Sequence, residues 1–107
     1  MSNRLSYYPN LYVGESIPLQ KLDKLKRKLE RTPILSSLYV IALCRNPDDQ
    51  LEIYEARQLA QSYYRNHPPY IIGLAGDYDE AVLMIKRIVE ECMEKRGDCA
   101  LKEYLQC

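Results

Sequence analysis

Residues Tyr70 to Arg96 read YIIGLAGDYDEAVLMIKRIVEECMEKR and contain the clearest structural signal in the chain. The first six residues form an apolar run with strand character. Gly76 then turns the chain, and Asp77 with Glu80 three residues later has the spacing of a capping box at a helix start. Apolar residues recur at helical spacing until Gly97, a residue type that commonly ends helices in a left-handed conformation. The stretch therefore predicts a strand that turns sharply into a long amphipathic helix. The predicted buried face of that helix consists of Ala81, Ile85, Ile88, Val89 and Cys92.

The segment before Pro33 predicts a first helix. Ser16 is a good N-terminal cap, Pro18 is tolerated in the opening turn, and the helix is expected to end near Arg31. Its apolar stripe consists of Leu22, Leu25 and Leu29. The helix carries six cations against two anions, a local charge of +4. It is therefore the one strongly basic element of the sequence.

The middle of the chain contains one clear strand and one ambiguous segment. Leu38 to Leu43 is a continuous apolar run and predicts a buried strand. Residues 46–50 have the composition of a turn. Residues 51–55 partly alternate, so we expect a short strand there, followed by a helix from about Ala56 to Arg65. The alternative is one helix from Pro47 onward. Residues 98–107 predict a short terminal helix.

These elements predict a mixed α/β (α+β) fold with a small sheet of two to three strands covered by helices. A chain of 107 residues has the usual size of a single compact domain. Residues 1–15 show neither strand nor helix periodicity, so they predict a loosely held N-terminal arm. Residues 16–107 are predicted to form the single domain.

Composition disfavours several classes of protein. Lys plus Arg and Asp plus Glu number 15 each, so the net charge is zero, which disfavours a protein that coats nucleic acid or an anionic membrane. No segment is long and apolar enough to span a bilayer, and residues 1–10 lack the layout of a secretion signal, so we expect a cytoplasmic protein. Its four cysteines should then be reduced, with Cys44 and Cys92 as small core residues.

The turn after the Tyr70 strand is the first place to look for a ligand site. A glycine-containing turn from Gly73 to Asp77 can present backbone N–H groups to a phosphate. The dinucleotide and Walker patterns are both absent, however, so a simple tight turn explains the sequence better. Asp77, Asp79 and Glu80 likewise fit the positive end of the following helix better than they fit a magnesium site.

The cysteines and the one histidine give no stronger signal. Cys92, Cys99 and Cys107 with His67 lack the paired spacing of structural zinc sites. His67 is expected to be a solvated loop residue, and no nucleophile motif accompanies it. The sequence therefore predicts no catalytic, cofactor-binding or metal-binding residue.

Tyrosine supplies all ten aromatic residues of the chain. Amphipathic rings of this kind are enriched at the centres of protein interfaces. We therefore expect a noncatalytic protein-interaction module whose partner is another protein or a second copy of the chain. The predicted contact residues are Tyr7, Tyr8, Tyr12, Tyr63 and Tyr64.

Two alternatives come from other functional classes. Lys21, Lys24, Lys28 and Arg31 fall on one stripe of the basic helix and would meet successive phosphates of a nucleic acid. Residues 77–98 carry a local charge of −3, so that stripe also has a complementary surface within the protein itself. The second alternative is a small enzyme whose site the sequence does not identify.

Residues 70–97 also carry a resemblance. The run IIGLAGDYDEA, the apolar helix and the Arg-Gly-Asp that follows are similar to small uncharacterised proteins of anaerobic gut Firmicutes. The similarity covers about a quarter of the chain. It implies a bacterial cytoplasmic protein and transfers no catalytic residue.

Overall fold

The computed structural model describes residues 5–43 and 51–106. The described strands are β1 (Ser6–Val13), β2 (Tyr39–Leu43), β3 (Leu51–Glu55) and β4 (Tyr70–Ala75). The described helices are α1 (Leu22–Arg31), α2 (Ser62–Asn66), α3 (Tyr78–Arg96) and α4 (Leu101–Gln106). Short 3-10 turns cover Leu19–Lys21, Pro33–Leu35 and Ala56–Ala60. The predicted turn at residues 46–50, Cys44 and Cys107 lie outside the described residues.

The strands form one sheet in the order β1-β4-β2-β3. β1 runs parallel to β4, whereas β2 is antiparallel to both β4 and β3. The predicted mixed α/β class is confirmed, but the sheet has four strands, so the prediction of two to three strands is wrong. The additional strand is β1, which lies within the predicted N-terminal arm.

β1 pairs with β4 in an irregular register. Tyr7 pairs with Ile71, and the next pair toward the end of the strand is Tyr12 with Gly73. Four residues of β1 therefore stand opposite a single residue of β4. This interval contains Pro9, which has no N–H to donate and is tolerated at sheet edges and bulges. Apolar side chains point to both faces of the sheet, with Tyr7 on one face and Tyr8 and Tyr12 on the other, so the sequence lacks the apolar-polar alternation by which half-buried strands are recognised. Over this strand, the expectation of a loosely held arm is wrong.

The ambiguous segment after β2 is a strand. All five residues of β3 pair with β2, from Tyr39 opposite Glu55 to Leu43 opposite Leu51. The alternative helix is therefore wrong over residues 51–55. The helix predicted from Ala56 to Arg65 is divided, because the backbone at Gln61 is extended between the 3-10 turn and α2.

α1 begins later than predicted. Its first residue is Leu22, after a 3-10 turn, and Pro18 is extended. The Ser16 hydroxyl does not cap this helix but donates a hydrogen bond to Glu80 Oε1 at 2.7 Å. The predicted end of the helix at Arg31 is confirmed.

α3 has the ends that the sequence predicts. The Asp77 carboxylate accepts a hydrogen bond from the Glu80 backbone N–H at 2.8 Å, and Gly97 ends the helix with a φ of 80°. The second half of the capping box differs, because the Glu80 side chain accepts from Gly76 and Ser16. The predicted terminal helix is present as α4.

The sheet separates two apolar cores. In β2, Val40 and Ala42 face the first core, whereas Ile41 and Leu43 face the second. α1 and the Ala56–Ala60 turn close the first core, and α3 with α4 closes the second. Cys92 is fully buried in the second core, as predicted. The structure is thus a three-layered domain with helices on both faces of the sheet.

The dimensions fit one compact domain. The radius of gyration is 13.5 Å over the Cα atoms, which is usual for a domain of about 100 residues. Across the described part of the chain, no helix combines the length and apolar character needed to cross a membrane.

Candidate interaction surfaces

The predicted contact tyrosines of β1 point to both faces of the sheet. Tyr7 packs against the first core, and the Lys26 ammonium lies 4.7 Å from the centre of its ring. Tyr8 and Tyr12 pack against the second core, with their rings parallel and their centres 6.1 Å apart. All three side chains are half-buried.

Two of these hydroxyls lie beside carboxylates. Tyr12 Oη donates to Glu91 Oε1 at 2.7 Å, and burial, followed by this hydrogen bond, raises the pKa of Tyr12. Burial, followed by the nearby Glu30 carboxylate, raises the pKa of Tyr7. Both phenols are therefore protonated at neutral pH and do not act as bases.

Tyr63 and Tyr64 form a separate aromatic group on α2. Their rings meet edge to face with centres 5.2 Å apart, and Tyr64 meets Tyr54 in the same way at 5.1 Å. Tyr63 is 55% exposed, and the exposed His67 ring stacks on it at 4.7 Å. Since Tyr64 packs against the first core, it lies on the other face of the sheet from Tyr8 and Tyr12. The five predicted tyrosines therefore do not form one continuous surface.

The predicted cations of α1 do come together. Lys21, Lys24, Lys28 and Arg31 are exposed and line a shallow groove of about 680 Å³. Arg27, Leu25 and Thr32 complete the lining. We call this feature the basic groove.

A cleft that the sequence did not reveal lies beyond the carboxyl ends of β1 and β4. Its volume is about 440 Å³, and its position is one where open α/β sheets commonly bind ligands. The lining combines four acidic residues and one arginine with apolar side chains. These residues are Tyr12, Val13, Gly14, Glu15, Asp77, Asp79, Glu80, Leu83, Met84 and Arg87.

Glu80 joins two distant turns at one end of this cleft. Its carboxylate accepts hydrogen bonds from the Gly76 N–H at 2.6 Å, the Ser16 N–H at 3.0 Å and the Ser16 hydroxyl. The bond from Gly76, followed by those from Ser16, lowers the pKa of Glu80 against the opposing effect of partial burial. If this turn bound a phosphate, the Gly76 N–H would be one of its donors. In the structure that N–H instead donates to a carboxylate of the same protein. The Ser16–Glu80 contact spans 64 residues, so no local sequence pattern identifies it.

α3 has a second apolar stripe beside its buried face. Tyr78, Val82, Ile85, Val89 and Met93 follow one another at intervals of four, three, four and four residues, which places them along one side of a helix. We call this stripe the α3 surface. Ile85 and Val89 are half-buried, whereas Tyr78, Val82 and Met93 are 55%, 44% and 46% exposed.

The α3 surface continues onto the sheet. The Tyr78 ring meets the Tyr39 ring of β2 edge to face, with centres 6.0 Å apart. Ile53 of the edge strand β3 is half-buried on the same side of the sheet. Apolar residues cover more of α3 than one packing face needs. This excess is the signal in the sequence for the α3 surface.

The described residues hold no group of three or more His, Cys, Asp or Glu side chains arranged to bind a metal ion. Cys92 is buried and its thiol donates to the Asp98 carbonyl at 3.2 Å, whereas Cys99 is exposed. Burial raises the pKa of the Cys92 thiol.

No protein family, curated protein sequence or solved structure matches this chain, so the similarity to small proteins of gut Firmicutes stays a prediction.

Proposed function

We propose that this chain is a noncatalytic protein-interaction module that associates with a second copy of itself through the α3 surface. The observation that carries the proposal is the exposure of Tyr78, Val82 and Met93 on a helix whose neighbouring face is fully buried. A row of large apolar side chains in water is typical of protein interaction sites.

The residue types of the α3 surface are suited to contact with another protein. The Tyr78 ring is already held by Tyr39, so burying it on association costs little further side-chain entropy. Tyrosine and methionine are both enriched in interface cores.

The charges favour a second copy as the partner. Lys86 and Glu90 are exposed on α3, and helical geometry places them at one margin of the α3 surface. A symmetric contact brings the same patch of both subunits together. A margin with one sign of charge would repel its own copy, whereas a margin with both signs is able to pair with it. The net charge of zero also removes long-range repulsion between copies.

The five tyrosines predicted from the sequence lie outside the α3 surface, with Tyr7 and Tyr64 on the other face of the sheet, so they stay predicted contacts of a separate surface. Tyr63 has the most exposed side chain among them. Tyr12 already hydrogen-bonds within the chain, so it is the weaker choice for a direct contact.

Sedimentation velocity over a concentration series from about 1 to 500 μM tests the proposal, since standard dimer interfaces reach this affinity range. The wild-type protein should shift from monomer to dimer within the series. Val82→Glu should raise the dissociation constant at least tenfold, because it puts a charge into the apolar contact.

Leu83→Glu is the matched control. Leu83 is the next residue of the same helix and is 65% exposed, but it points into the cleft rather than along the α3 surface. It should leave the dissociation constant within twofold. A wild-type protein that stays monomeric throughout, or two variants that weaken association equally, would contradict the proposal.

A further inference from the structure

The charges of α1 are segregated around the helix. Five exposed cations lie along one side, whereas Asp23 and Glu30 lie beyond Arg27 at the edge of that row and do not line the groove. The five cations are Lys21, Lys24, Arg27, Lys28 and Arg31. The remaining cation, Lys26, lies over the Tyr7 ring. The basic groove therefore contains positive charge without an interleaved carboxylate from α1.

No salt bridge joins these five cations to a carboxylate within residues 5–43 and 51–106. Lys24 and Lys28 are four residues apart, as are Arg27 and Arg31, so like charges are neighbours on the helix surface. Such pairs destabilise a helix. An anion bound between them would remove that repulsion.

The shape of the groove fits an extended anion. Lys21 and Arg31 are ten residues apart, which corresponds to about 15 Å along a helix. A nucleic-acid strand places successive phosphates about 3.4 Å apart along the duplex axis, so the row spans several of them. The guanidinium groups of Arg27 and Arg31 match phosphate oxygens through paired hydrogen bonds.

The lining of the groove indicates which part of a nucleic acid it contacts. Leu25 and Thr32 are the lining residues without a charge, and the described lining has no aromatic ring. Proteins that hold single strands stack bases on aromatic side chains. The groove therefore has no ring on which a base could stack, and its cations are suited to contacts with phosphates, which carry no sequence information.

We propose that the basic groove binds the phosphate backbone of duplex nucleic acid without preference for base sequence. A membrane surface fits less well, because membrane-bound basic helices insert their own apolar face into the bilayer. The apolar face of α1 is used in the first core, where Leu29 is fully buried. This binding site is separate from the α3 surface and does not depend on self-association.

Fluorescence anisotropy with labelled 20-base-pair DNA duplexes of two unrelated sequences tests the proposal. With about four phosphate contacts, the affinity should fall about 150-fold between 50 and 200 mM NaCl. The two duplexes should bind within threefold of each other. Labelled single strands of the same length should bind more weakly.

Lys24→Glu combined with Lys28→Glu should weaken duplex binding at least tenfold at 50 mM NaCl. It should also reduce the slope of log affinity against log salt by about two. The matched control is Arg65→Glu combined with Lys95→Glu. It makes the same change in net charge at exposed helix positions outside the groove, and should leave affinity within threefold. Circular dichroism verifies that both double variants are folded.

Four results would overturn the proposal. They are no duplex binding at 50 mM NaCl, equal weakening by the two double variants, tighter binding of single strands, and binding to phosphatidylserine vesicles without binding to duplex.

Discussion

Glu80→Gln should destabilise the fold, because the Glu80 carboxylate connects the turn after β1 to the turn after β4. Three hydrogen bonds converge on it, from the Gly76 N–H, the Ser16 N–H and the Ser16 hydroxyl. Hydrogen bonds to a charged group contribute about 1.5 to 3 kcal/mol each when buried. Both bonds from Ser16 are exposed to solvent, so screening reduces their contribution.

The glutamine amide oxygen still accepts one or two of these bonds, so we expect a loss of about 1 to 2 kcal/mol in the free energy of unfolding at pH 7. For a domain of this size, that loss lowers Tm by about 4 to 9 °C.

The size of the effect should depend on pH. The hydrogen bonds lower the pKa of Glu80 in the folded state, so the ionised carboxylate stabilises the fold at pH values above its unfolded pKa of about 4.3. This contribution is lost as the pH falls through the folded pKa. The difference between wild type and Glu80→Gln should therefore be fully present at pH 7 and should shrink below about pH 4.

Urea unfolding followed by circular dichroism at pH 7 and at pH 3 measures both quantities. Glu90→Gln is the matched control, since Glu90 is an exposed glutamate of the same helix and makes none of these contacts. A double-mutant cycle with Ser16→Ala should give a coupling free energy of about 0.5 to 1 kcal/mol at pH 7. Wild-type stability in Glu80→Gln at pH 7, or the same loss at both pH values, would refute this account of the junction.

Two further predictions concern the second core. Gly73→Ala should cost about 1 to 3 kcal/mol, because an added Cβ would lie 2.5 Å from Met84 Sδ and 3.2 Å from the Tyr12 carbonyl oxygen; urea unfolding at wild-type stability would contradict this packing. Cys99→Ser should remove one rapidly reacting thiol in a titration with a thiol-specific disulfide reagent, whereas Cys92→Ser should leave the rapid phase unchanged because Cys92 is buried. Equal loss of the rapid phase in both variants would show that the second core opens readily.

The elements that the sequence predicted well are those whose signals are local. β4 and α3 have an apolar run, an Asp77 cap and a Gly97 end within one continuous stretch, so neighbouring residues contain the whole signal. β1 lacks such a signal. It exists because β4 offers a free edge, and its apolar side chains point to both faces of the sheet, so no apolar-polar alternation marks it locally.

The candidate sites also differ in whether their residues lie close together in the sequence. The cations of the basic groove lie on a single helix, so their spacing along the chain was sufficient to group them. The contact tyrosines come from β1 and α2, and Tyr7 and Tyr12, five residues apart on β1, face opposite sides of the sheet. Grouping them required knowing that these residues form a strand and where α2 packs.

Local patterns along the chain suffice to predict the mixed α/β class, the long capped helix α3 and the charge on α1, because each depends on residues close together in sequence. The place of β1 at the sheet edge, the junction between Ser16 and Glu80, and the exposure of the α3 surface follow only from three-dimensional packing. Each of these depends on residues that are far apart in the chain, where strand pairing and side-chain packing, rather than local propensity, select the contact.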